Sequence, residues 1–200
     1  MTSHLLALDP SFTATGWVVV DLGHERVVAA GVIRTAKAKA SERLLSAADD
    51  TRRGLEIAHA VRAAINAHSI TVAAAEASCG SKSATAAKAL ARAQQAVACA
   101  VVWELGSPPI YVTPQTVKKL ATGTMSASKD AVEAAMREHW PCDWDALLKG
   151  VAPGKRENAF DAAAVAHAVW NKPAVAMLRQ LARGRRIRSE RDFNDRLAPR

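Results

Sequence analysis

An aspartate closes the apolar run LLALD at residues 5–9, and a glutamate closes a second run, ITVAAAE, at 70–76. A third acid, Asp161, stands in the alanine-rich stretch NAFDAAAVAHAVW. The two runs have the length of buried strands and the alanine stretch that of a packed helix. Each carboxylate is thus placed where lost hydration penalises its charge. Taken singly, each has an ordinary role: Asp9 can cap the turn after its strand, and Asp161 can complement the positive end of its helix. Taken together, they suit a hard divalent cation such as Mg²⁺, which prefers oxygen donors. Two such cations about 3.5–4 Å apart activate a water and stabilise the leaving oxygen in phosphodiester cleavage. Asp9, Glu76 and Asp161 therefore point to phosphoryl chemistry, on the condition that the two strands are neighbours.

The elements that must deliver these side chains follow from pattern. Residues 4–9, 16–21 and 27–34 read as three strands joined by short turns, which makes them antiparallel neighbours. Residues 41–68 carry helical spacing, with Ser41 as the expected cap and Gly54 as a weak point. The acidic strand 70–76 leads to a long alanine-rich helix at 83–105, and PIYVT forms a short strand at 109–113. Pro114 opens a helix that Gly123 ends, Ser126 or Ser128 opens the next as far as His139, and residues 141–157 read as loop. A last core helix is expected over 158–170. The order describes an α/β domain with a mixed sheet of about five strands, the first three antiparallel, flanked by helices.

Two hundred residues, half of them hydrophobic, suffice for one domain with a sizeable core. The formal charge of +8 is concentrated at one end: residues 172–200 hold nine Lys/Arg against three acids. The expected division is a near-neutral body over 1–171 and a basic C-terminal tail over 172–200, suited to a polyanion. Cys79, Cys99 and Cys142 show no metal-finger spacing and read as reduced thiols. No leader pattern and no apolar run of membrane length is visible, so a soluble intracellular protein without a membrane partner is expected. The six histidines are scattered, with His167 the one placed to approach the acids along the last helix. Trp103, Trp140, Trp144 and Trp170 read as core or loop anchors.

Four segments in register resemble the RuvC-type Holliday-junction resolvases of the ribonuclease H-like nuclease superfamily. LALDPSFTATGWVVVD is similar to their first strand and hairpin, and AAAEASCGSKSATAAKALARAQQAVACAVV to their second acidic strand and helix. YVTPQTVKKLATGTMSASKDAV and NAFDAAAVAHAVW match the two remaining segments, so the resemblance covers about residues 4–171. It implies a ribonuclease H-like nuclease domain in which Asp9, Glu76 and Asp161 are catalytic, metal-binding acids. Asn158 stands where the family has a further aspartate, and Glu157 is its rival for completing the metal site. Lys118 and Lys129 fall on the family's two DNA-facing lysines, and Ser11 replaces a turn glycine on the DNA side. Lys82 on the long helix and Arg156 before the last one are further expected phosphate contacts. The family's aromatic after the second acid is missing from ASCGSKS.

The implied activity is Mg²⁺-dependent paired cleavage of four-way DNA junctions by a homodimer, leaving a 5′-phosphate, with Mn²⁺ able to substitute. Helix 83–105 is either the dimer interface or buried in its own monomer. The implied setting is the cytoplasm of a bacterial cell or of a virus-infected host cell. Two other readings stay open: a looser branched-DNA or RNA-processing nuclease, and a non-catalytic junction-binding protein made plausible by Asn158.

Overall fold

Side-chain alternation along the first strand divides the core into two halves. In a computed structural model describing residues 3–42, 44–77, 80 and 83–197, with side chains as far as 187, β1 runs over His4–Asp9. Its Leu5 and Ala7 enter one apolar cluster while Leu6 and Leu8 enter another on the opposite face. Around β1 are β2 (Ala14–Asp21), β3 (Arg26–Arg34), β4 (Ile70–Glu76) and β5 (Ile110–Val112). The order is β3-β2-β1-β4-β5. The first three strands pair antiparallel, while β4 pairs parallel with both β1 and β5.

Helices cover both faces. Against Leu6 and Leu8 pack α1 (Ser46–Ala67) and α2 (Ala84–Leu105). The other face carries α3 (Pro114–Thr122), α4 (Lys129–His139), the single turn α5 (Trp144–Leu147), α6 (Pro153–Val169) and the start of α7 (Pro173–Leu197). The expected ribonuclease H-like layout is therefore the observed one. Ser83, Thr113 and Ser128 each accept a hydrogen bond from the first turn of the following helix, and Gly123 ends α3 at φ +79°.

Several boundaries differ from expectation for identifiable reasons. Ser41 caps nothing; it lies in a short 3-10 turn at Ala40–Glu42. The Asp49 carboxylate accepts the Ala38 amide at 3.2 Å and Arg52 at 2.6 Å, folding the incoming chain onto the first turn of α1. At the other end of the domain α6 begins at Pro153, inside the expected loop. Proline suits the first helical position because its missing N–H has no partner to lose there. Trp140, Trp144 and Trp170 are buried anchors, but Trp103 is 77 % exposed on α2, with the Arg62 guanidinium 5.8 Å from its ring.

The basic segment beyond 171 starts as a docked helix. Val175 and Ala182 join the core. Arg179 stacks over Trp170 at 4.1 Å and, with Arg183, pairs with Glu25 in the β2–β3 turn. Among the described residues no helix is long and apolar enough to cross a membrane.

Candidate active site

Pleating and parallel register bring the first two acids to one edge and one face. Leu8 of β1 is level with Ala75 of β4, so Asp9 and Glu76 follow side by side at the strand ends. Ala7 and Ala74 share the cluster beneath α6, and period-two alternation sends Asp9 and Glu76 to that same face. The third acid arrives from above. Asp9 is the cross-strand partner of Gly16, and a Cβ added to Gly16 would collide with the Asn158 backbone carbonyl. The α6 backbone thus rests directly on the sheet beside Asp9, and Asp161 follows Asn158 by about one turn. A run of buried alanines, Ala162–Ala164 and Ala166, lets the helix come this close.

The three carboxyls share one electrostatic field. Burial, then the charges of Glu76 and Asp161, push Asp9 well above the usual carboxylate range, with Lys129 opposing. Burial and the Asp161 charge push Glu76 up to about 7, with Lys118 opposing. Asp161 is raised by burial against the pull of Lys129 and Lys118. Burial alone would lower Lys129, but its 2.6 Å pairing with Glu157 and the charges of Asp161 and Asp9 hold it above its usual value. Such a set, hard oxygens that burial and mutual repulsion leave short of positive charge, fits a divalent cation. Among the described residues no three His, Cys, Asp or Glu side chains are grouped closely enough to hold a metal ion between them. The acids share a face and a field.

The rivals at 157 and 158 are both beside the acids, in different states. Glu157 is held by Lys129. Asn158 is buried, and its Nδ2 donates to the Lys155 carbonyl at 3.0 Å, which leaves its Oδ1 as an uncharged oxygen donor.

The expected phosphate contacts divide. Lys118 and Lys129 act on the acids from α3 and α4, and the Lys118 Nζ donates to the Ala127 carbonyl at 3.1 Å. Ser11 lies in the β1–β2 turn, its backbone exchanging hydrogen bonds with the Thr15 hydroxyl. Arg156 sits in the first turns of α6, not before it, and pairs with Asp145 at 2.7 Å. Lys82 lies outside the described residues. His167 turns from the acids towards α3 and α4, its Nε2 3.1 Å from the Leu120 carbonyl and its ring 4.0 Å from that of His139.

Three supporting residues carry no clear sequence signal. The buried Arg53 donates to the Phe12 carbonyl at 2.8 Å and to the Thr35 hydroxyl at 2.9 Å, bracing the turn after Asp9. Gln94 of α2 donates to the backbone carbonyl of Glu76 at 3.0 Å. Gly16 is the contact that seats α6. It opens the second expected strand, and what calls for a glycine there is a close helix approach.

A family model for the crossover junction endodeoxyribonuclease RuvC matches residues 5–168 of this chain. The chain belongs to the RuvC family. The RuvC of Paenarthrobacter aurescens is 31 % identical over 169 residues, covering 83 % of this chain and 80 % of that one. The RuvC of Rhodococcus jostii is 32 % identical over 201 residues, covering 97 % and 95 %. Among solved structures, Thermus thermophilus RuvC in complex with a Holliday junction substrate superposes with a TM-score of 0.63 at 21 % identity, covering 82 % of this chain and 91 % of that one. A yeast mitochondrial Holliday junction resolvase superposes at 0.57 with 10 % identity, covering 91 % and 84 %. At those identities the likeness speaks for the RuvC fold.

The raised carboxyls set the sign of one stability effect. A carboxyl whose folded pKa lies above its unfolded value destabilises the fold once ionised. For Glu76 that penalty is absent below its ordinary value of 4.5 and complete above about 7. Metal-free protein should therefore melt at a higher temperature at pH 5 than at pH 8, Glu76 contributing on the order of 3 kcal/mol. Glu76→Gln should remove that share. Thermal melts across this range, with EDTA present, read it directly. A wild-type pH dependence that survives the substitution would place its source elsewhere.

Proposed function

We propose that this chain is a metal-dependent endodeoxyribonuclease that resolves four-way DNA junctions by paired cleavage. The reading is supported by the electrostatic coupling of Asp9, Glu76 and Asp161 on the α6 side of the sheet, within a chain of the RuvC family. Asp9, Glu76, Asp161 and the Asn158 Oδ1 would hold the cation, Mg²⁺ for preference and Mn²⁺ as a substitute. When bound, the cation supplies an activated water and charge compensation for the leaving oxygen. Glu157, paired with Lys129, keeps that lysine beside Asp9 and Asp161 rather than free in solvent.

The chain's own residues do the rest. Lys118 and Lys129 offset an acidic site that would otherwise repel a polyanion, and they fix a phosphate over the carboxylates. Ser11 approaches the same strand end from the β1–β2 turn. Branch shape is read through backbone contacts and distortion rather than a long base code. A twofold homodimer, with the exposed Val102 and Trp103 of α2 in its interface, would present two such sites to symmetry-related strands. The basic segment 172–200 is an accessory to the domain over 1–171.

The test compares a four-way junction, a flap and an RNA duplex, with Mg²⁺ or Mn²⁺, using protein whose mass in solution is measured in parallel. Paired nicks confined to the junction, made by a dimer, are the expected result. Equal cutting of the flap or the RNA would favour a looser nuclease. Because Asn158 brings no charge, tight junction binding without nicking under either metal would return the non-catalytic reading.

A further inference from the structure

The β2–β3 turn is built as a receptor for α7. The Asp21 carboxylate accepts the amides of Gly23 and His24 at 2.8 and 3.0 Å, and lies 2.9 Å from the His24 ring nitrogen. The turn so fixed holds Glu25 at φ +54°, unusual for a residue with a Cβ. Its Oε1 accepts Arg179 at 2.6 Å and Arg183 at 2.5 Å. Arg179 is sandwiched further, over the Trp170 ring at 4.1 Å and donating to the Trp170 carbonyl at 3.1 Å. Val175 and Ala182 of the same helix are buried in the core.

This latch stands at the wrong end of the sheet for the carboxylates. Asp9 pairs with Gly16 at the start of β2, whereas Asp21 closes β2 at its other end. Five strand steps separate them, about 17 Å. Beyond the latch α7 continues to Leu197. Over its whole length the sequence carries seven arginines against three acids, with Arg185 and Arg186 exposed.

We propose that the distal half of α7 grips the phosphates of a junction arm at a distance from the scissile bond, and that the Glu25 latch aims it there. The inference rests on the DNA-cleaving reading for its substrate, but concerns a surface separate from the acids. At 3.4 Å of rise per base pair, the spacing between latch and acids matches the length of about five base pairs. An arm at that distance adds affinity without touching the chemistry, because its contacts are the same in the ground and transition states.

The test measures binding of a four-way junction in EDTA, so that it is read apart from nicking. Phosphates about five to twelve base pairs from the branch are neutralised as methylphosphonates. Wild-type binding should weaken several-fold, whereas an Arg185→Gln, Arg186→Gln, Arg188→Gln variant should lose nothing further. On unmodified DNA the triple variant should bind on the order of tenfold more weakly, with its salt slope reduced by about two to three. Glu25→Gln supplies a second arm with the opposite naive sign. It raises the net charge, so unfocused attraction predicts tighter binding, whereas the latch predicts loss of the distal methylphosphonate effect. Equal methylphosphonate losses in wild type and triple variant would overturn the proposal. So would an intact distal effect in Glu25→Gln. Should nicking fail while the distal effect holds, the nuclease reading falls and the arm stands.

Discussion

Asp161→Asn is expected to lower junction cleavage by on the order of a thousandfold or more, with junction binding essentially intact. The substitution keeps the shape of the side chain, exchanges one acceptor oxygen for an NH2 donor, and removes one negative charge from a site that is otherwise assembled around charge. Asp161 is the acid that α6 carries onto the sheet, and its field acts on both Asp9 and Glu76. Without it the remaining pair attracts a cation less strongly, and Lys118 and Lys129 lose part of the charge they balance. The metal-free protein should become more stable, because a buried, repelling carboxylate has gone. That opposite movement of activity and stability separates a functional acid from a structural one. Nicking rates, filter or gel binding, and melts in EDTA supply the three readings. Wild-type cleavage, or a fall in melting temperature, would remove Asp161 from the proposed set.

Much of this site was legible because strand periodicity carries direction as well as type. The runs ending in Asp9 and Glu76 announce buried strands, and burial makes an acid at each end anomalous. Their adjacency was not legible. Parallel pairing of β1 with β4 joins segments separated by more than sixty residues, and nothing local in either run encodes it. The same limit hid Arg53 and Gln94, whose work is to hold backbone carbonyls at Phe12 and Glu76 across long sequence gaps. Arg156 was misplaced for a local reason. Pro-Gly-Lys at 153–155 has loop composition, yet Pro153 begins a helix that turns Arg156 towards Asp145. On α7, charge alone suggested a basic tail suited to a polyanion. The pairing of Arg179 and Arg183 with Glu25 depends on where the helix docks.

Gly16→Ala tests the close approach of α6 to the sheet, without altering any group that bears charge. A methyl at this position would overlap the Asn158 carbonyl group, which is backbone and has no rotamer to escape into. Either β2 bends or α6 lifts from the sheet. Overpacking of a core typically costs about 1–3 kcal/mol, and a backbone clash belongs at or above the upper end. For a chain of this size that is a fall in melting temperature of roughly 6–12 °C. Lifting α6 carries Asn158 and Asp161 away from Asp9, the cross-strand partner of the substituted residue. Cleavage should fall by on the order of a hundredfold, since small misplacements at a reacting centre are that costly. Half-maximal activity should also require more Mg²⁺, the part of the result that mere loss of folded protein would not produce. Gly54→Ala is the matched control. Gly54 lies inside α1, where an added Cβ meets nothing within 4 Å. That change should stabilise the fold by about 0.4–1 kcal/mol through the unfolded chain and leave cleavage alone. If both alanine variants cut at the wild-type rate with the same Mg²⁺ requirement, the seat of α6 on Gly16 is not what brings Asp161 to Asp9.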